Sequence, residues 1–104
     1  MDVTVKKHGR LMEVFPEGEL DQHSAAGLRE RLDTELMDKR IDRIEYDLKA
    51  VTFMDSSGIG VLLGRYRTLA ARNGTMDIKN ARRSVEAILR MSGVYSLCTE
   101  RSRR

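Results

Sequence analysis

The chain has 104 residues, 40% hydrophobic and 34% charged, with a formal net charge of +3. That length makes one domain, large enough to bury a core and too short for two nucleotide-binding halves. A single cysteine, Cys98, excludes an intramolecular disulfide and a cysteine metal cluster. The first ten residues lack the apolar stretch of a secretory signal, and the longest apolar-plus-glycine run, residues 58–64, is far too short to span a membrane. A soluble, cytoplasmic domain is expected. Charge is uneven: residues 1–64 carry 9 Lys/Arg and 13 Asp/Glu, whereas residues 65–104 carry 10 and 3. Three tyrosines, two phenylalanines and no tryptophan leave few platforms for base stacking, so the basic half reads as a solvated face and not a nucleic-acid site.

Val3 and Val5 alternate with Thr4 and Lys6, which predicts a short strand. His8-Gly9-Arg10 supplies a turn and residues 11–15 a second strand, so the chain opens with a hairpin. Pro16 lacks an amide donor and belongs at a strand end or edge. From Ala25 to Arg40 the period becomes helical, with Ala25, Leu28, Leu32 and Leu36 on one stripe and Asp21 or Ser24 available as cap. A third strand places Ile44, Tyr46 and Leu48 on one side and Glu45 and Asp47 on the other. The second helix carries Ile59, Leu62, Leu63, Tyr66, Leu69 and Ala70 on one stripe and stops at Asn73-Gly74. Met76 and Ile78 alternate with Thr75, Asp77 and Lys79 in a fourth strand. A third helix with Val85, Ile88, Leu89 and Met91 ends at Ser92-Gly93, and residues 94–98 form a last strand. The domain thus covers residues 1–98, followed by a charged tail, residues 99–104, that is expected to fray.

The expected order is β-β-α-β-α-β-α-β. Strands separated by helices pair in parallel through right-handed crossovers. Glu45, Asp47, Asp77 and Lys79 point to one wet sheet face, since a sheet covered on both faces reads as continuous apolar runs. The fold class is therefore α/β: a mixed four- to five-stranded sheet with helices packed on one face.

The segment that could carry chemistry is Thr52-Phe53-Met54-Asp55-Ser56-Ser57-Gly58-Ile59-Gly60, leading into the second helix. Asp55, Ser56 and Ser57 are good N-cap residues placed where helix amides lack partners, and the positive end of the helix dipole favours an anion there. Gly58 and Gly60 keep the first turn slim enough for another molecule to approach. The same residues also suit an ordinary helix cap with glycines serving packing. Dinucleotide binding would use Gly58, Gly60 and Gly64 with Asp77 nineteen residues after Gly58, but needs a strand running straight into the glycines. A serine hydrolase would want G-x-S-x-G and a histidine base, and only His8 and His23 exist. In a third reading Ser56 is a substrate. Phosphate would add about −1.5 to −2 charge at an exposed helix tip and repel a partner docked against Asp21, Asp55 and Ser56.

Gly18-Glu19-Leu20-Asp21, the stretch from Phe53 to Tyr66, and Met91-Ser92-Gly93 together resemble the anti-sigma factor antagonists, the small single-domain members of the STAS family, and among them the sporulation (anti-sigma F) type. The resemblance runs from the N-terminus to about Leu97. It implies a mixed sheet with helices on one side and a non-enzymatic partner switch. The unphosphorylated antagonist would bind a nucleotide-bound anti-sigma factor and free its sigma factor. That anti-sigma factor is also the serine kinase, spending its own ATP on the first serine of D-S-S-G, and a PP2C-type phosphatase reverses the reaction. By position the acceptor is Ser56 with Ser57 as neighbour, and Asp21 lies near it. Partner contacts are expected at Asp21, Asp55, Ser56, Ser57, Gly58, Ile59 and Gly60, with no metal, no cofactor of the chain's own, no nucleic acid and no membrane. A general stress-response module and a small nucleotide-binding protein are the alternatives. Family members usually continue into a further C-terminal helix, where this sequence has Thr-Glu-Arg-Ser-Arg-Arg.

Overall fold

A computed structural model of the chain describes residues 1–99. Its elements are β1 (Asp2–His8), β2 (Leu11–Leu20), α1 (Ala25–Glu35), β3 (Arg43–Asp47), β4 (Val51–Met54), α2 (Ser56–Ala70), β5 (Thr75–Lys79) and α3 (Arg83–Ser92), followed by a 3₁₀ turn at Val94–Leu97. β1 and β2 form an antiparallel hairpin, and β3 and β5 extend the sheet in parallel in the order β1-β2-β3-β5. β4 pairs in parallel with the end of β2. The mixed sheet with its helices against one face agrees with the expectation. Met12, Val14, Ile44, Tyr46, Met76 and Ile78 supply the covered face of the strands, packed on Leu28, Leu32, Leu62, Leu69, Val85 and Leu89 of the helices.

β4 continues along β2 where β3 leaves off: Val14 registers with Tyr46, Gly18 with Val51, and Leu20 with Met54. Pro16 falls in the interval between the two ladders. The Gly18 amide donates to the Ala50 carbonyl across that boundary, and Pro16, two residues earlier, aims its nitrogen the same way. Its missing N–H therefore costs no ladder bond, and an interior proline is accommodated in a central strand.

The order differs from the expected one at two places. Residues 51–54 form a strand where none was expected, because their buried positions, Val51 and Met54, are three apart and give no two-residue alternation. The expected last strand at residues 94–98 is instead the 3₁₀ turn. Gly93 takes a left-handed conformation (φ 76°) and reverses the chain, Ser96 and Cys98 donate back to Gly93 and Tyr95, and the buried residues Val94 and Cys98 are four apart. α1 also stops at Glu35, short of Arg40, because Arg72 occupies the carbonyls beyond it. Asp77 is buried, with Thr99 donating to its carboxylate through both hydroxyl and amide, so the open face is dry at that position. Met91, on α3, is exposed. Thr99 is the one described residue of the expected tail; residues 100–104 lie outside the described residues.

Candidate functional site

β2 and β4 are adjacent parallel strands that end together, at Leu20 and Met54. Of the residues that follow them, Asp55 caps α2 and Asp21 opens the turn that leads into α1, so the two helix entries lie side by side at the carboxyl ends of the strands. Parallel sheets present their loops and helix N-termini at this end. The Asp55 amide donates to the Leu20 carbonyl (3.3 Å) and ties the entries together.

Asp55 is the N-cap of α2 in extended backbone geometry, and its side chain accepts from the Ser57 amide at 2.8 Å. Its carbonyl accepts from Gly58 and Ile59, closing the first turn. Ser56 is the first helical residue and is exposed; Ser57 is half-buried. Asp21 acts as the cap of the turn that precedes α1. Its carboxylate accepts from the His23 amide at 2.9 Å and the Ser24 amide at 3.1 Å. Ser24 is the formal N-cap but makes no side-chain cap bond; its hydroxyl donates to the Glu19 carbonyl at 2.8 Å. The Ser24 amide bond is the main reason that the Asp21 carboxyl is held below its ordinary pKa, with the His23 amide adding to it. Asp21 is thus a fixed anion beside Asp55 at ordinary pH.

The glycines divide their work. A Cβ on Gly58 would fall 2.6 Å from Met54 Cγ and 2.9 Å from Leu20 Cγ, so Gly58 is required by the contact of α2 with the ends of β2 and β4. Together with the buried Ile59 it faces the core, although both residues were expected among the partner contacts. Gly60 is exposed and a Cβ there would meet nothing within 4 Å. It lines a cleft of ≈ 430 Å³ between α1 and α2 with Gln22, Ala25, Ala26, Arg29, Ser57 and Val61. The α1 wall of this cleft, Ala26 and Arg29, lies off the apolar stripe of Ala25, Leu28, Leu32 and Leu36 and was not singled out from the sequence. The four-residue step from Ser57 to Val61 was the available signal. Phe53, within the expected chemical segment but given no role there, stays 48% exposed on β4, two residues before Asp55.

His23 is exposed, and it is its backbone amide that serves Asp21. The strand β4 does run into the glycines, so that objection to a dinucleotide fingerprint falls. The fingerprint fails elsewhere: Gly58 is filled by Leu20 and Met54, and Asp77 is engaged by Thr99.

The sequence profile of the STAS domain matches residues 2–102. The chain belongs to the STAS family, among its anti-sigma factor antagonists. It is 32% identical over 97 residues to the anti-sigma F factor antagonist of Paenibacillus polymyxa, covering 93% of this chain and 83% of that protein. It is 30% identical over 97 residues to the anti-sigma-B factor antagonist of Bacillus subtilis strain 168, covering 93% of this chain and 87% of that protein. The structure of the anti-sigma factor antagonist SpoIIAA in its unphosphorylated form superposes with a TM-score of 0.84 at 27% identity, over 94% of this chain and 86% of that one. Antagonists of the STAS family are non-catalytic.

Proposed function

We propose that the unphosphorylated chain binds a nucleotide-bound anti-sigma factor and so releases the sigma factor held by it, and that phosphorylation of Ser56 by the same anti-sigma factor, acting as a serine kinase, ends that binding. A PP2C-type phosphatase restores the active form. The chain works in the cytoplasm, where sigma factors act.

The observation that carries this reading is the placement of Ser56. It is exposed at the first position of α2, next to a capping carboxylate and beside a second fixed carboxylate, Asp21. A phosphate there adds about −1.5 to −2 charge at pH 7 and leaves every core contact in place. The helix amides accommodate the anion within the domain. A partner that had matched Asp21 and Asp55 would meet bulk and a third negative group, and like charges across an interface cost several kcal/mol. The sporulation type of antagonist is favoured by the resemblance of the Phe53–Tyr66 stretch. The stress-response type stays as the second reading, supported by the 30% identity to the sigma-B antagonist over the same 97 residues.

Ser56→Asp tests the binding half. Titrated against the anti-sigma factor with bound nucleotide, it is expected to bind about tenfold or more weakly than wild type, about 1.4 kcal/mol or more, with an unchanged circular-dichroism spectrum. Binding equal to wild type contradicts the repulsion argument, and a lost spectrum identifies Ser56 as a structural residue.

A further inference from the structure

Two rows of side chains form the walls of the α1/α2 cleft. On α2, Ser57 and Val61 line it, and the next residue on that four-step row is Arg65. On α1, Ala25 and Arg29 line it, and the next on the row is Asp33. Residues four apart stack along one helix face. One turn below the cleft the two rows meet, with Arg65 Nε 3.0 Å from Asp33 Oδ1.

This pair is unusual for a helix contact. Arg65 is 8% exposed, and neither its Nε nor its Nη1 makes an aligned hydrogen bond. The hydroxyl of Tyr46, on β3 beneath the helices, is also buried without a hydrogen-bond partner. An arginine held this way is a poor source of stability, because desolvating the charge offsets the attraction and a well-packed apolar side chain does as well or better. Buried polar groups left short of partners call for a reason other than stability. Here that reason is geometric. Among the described residues the pair is the one ionic link between the two helices whose entries carry Asp21, Asp55 and Ser56, and it lies directly below the cleft.

Resting on the proposed binding to an anti-sigma factor, we infer that Arg65, through Asp33, is a positioning residue that holds α1 and α2 at the spacing the partner recognises.

The test compares wild type, Arg65→Met, Arg65→Lys and Asp33→Asn in urea unfolding and in titration against the nucleotide-bound anti-sigma factor. Arg65→Met is expected to keep or raise the unfolding midpoint while weakening binding by about tenfold. Arg65→Lys, which keeps the charge opposite Asp33, is expected to recover most of that loss. Asp33→Asn removes the pair from its exposed end but leaves the buried Arg65 charge without its carboxylate, so it is expected to lower the unfolding midpoint and to weaken binding in the same direction. If wild type binds and both Arg65→Met and Asp33→Asn bind within about twofold of it, the positioning role is wrong. If Arg65→Met fails to fold, Asp33→Asn decides the matter by the same criterion. If wild type does not bind, the functional reading itself is refuted.

Discussion

Gly58→Ala and Gly60→Ala add the same methyl group two residues apart in α2, with opposite expected outcomes. At Gly58 the new Cβ would sit 2.6 Å from Met54 Cγ and 2.9 and 3.1 Å from Leu20 Cγ and Cδ2, where carbon atoms ordinarily rest about 3.5–4.0 Å apart. Both neighbours are buried, 0% and 5% exposed, at the registered ends of β2 and β4, so neither can retreat without moving a strand or the core behind it. Overpacking of this kind costs about 1–3 kcal/mol, and the better helix propensity of alanine returns about 1 kcal/mol. The net loss is about 0–2 kcal/mol, towards the upper end here because the 2.6 Å contact is with a buried neighbour, or up to roughly 15 °C in Tm for a domain of this size. At Gly60 the methyl meets nothing within 4 Å, so only the propensity gain of up to about 1 kcal/mol remains. Urea unfolding followed by circular dichroism separates the two. A Gly58→Ala midpoint at or above wild type would refute the packing argument. Gly60→Ala, being stable, also isolates the cleft: weakened partner binding in that variant would come from the added bulk alone.

Arg72 donates to the carbonyls of Leu36 (2.6 Å) and Ile41 (2.8 Å), satisfying the end of α1 from the end of α2. Arg72→Met is expected to destabilise by about 1.5–3 kcal/mol, as loss of charged hydrogen bonds does, and an unchanged urea midpoint would contradict it. In an NMR carboxyl titration Asp38 is expected to titrate at about 2, held down first by the Arg40 side chain, and Asp21 below its ordinary 3.8, held down first by the Ser24 amide. Because both folded-state values are depressed, whatever stability these carboxylates add is complete above about pH 4 and is lost as pH falls through the folded-state values. An Asp21 midpoint at or above 3.8 would show that the cap does not form.

Much of this architecture was legible in the sequence because the hydrophobic periods are clean. Ile44, Tyr46 and Leu48 alternate, and Leu28 and Leu32, like Leu62 and Leu69, recur at helical spacing, so four of the five strands and all three helices could be placed. β4 was not legible: its four residues bury only the first and last, and its partner is a bulged strand end. The turn at residues 94–97 was misread because Val-Tyr-Ser-Leu-Cys suits a strand by composition, while the left-handed Gly93 decides otherwise. The two acidic helix entries could be found from Asp21 and Asp55 alone, since both stand where caps are needed. That they lie together depends on β2 and β4 ending side by side, which no local pattern shows. The basic half was the least legible feature. Arg65 and Arg72 counted with a solvated surface, yet Arg65 is buried against Asp33 and Arg72 holds the carbonyls of Leu36 and Ile41, whereas Arg82 and Arg90 are exposed as expected. Net charge by segment cannot separate a surface arginine from one that closes a helix end.

The central claim is that Ser56 is the residue on which the switch is set. Intact-mass measurement of wild type and Ser56→Ala, each incubated with the cognate anti-sigma factor and ATP, tests it most directly. One phosphate added to wild type and none to Ser56→Ala, which still binds the anti-sigma factor, is the predicted result. A Ser56→Ala chain that gains a phosphate as completely as wild type would contradict it.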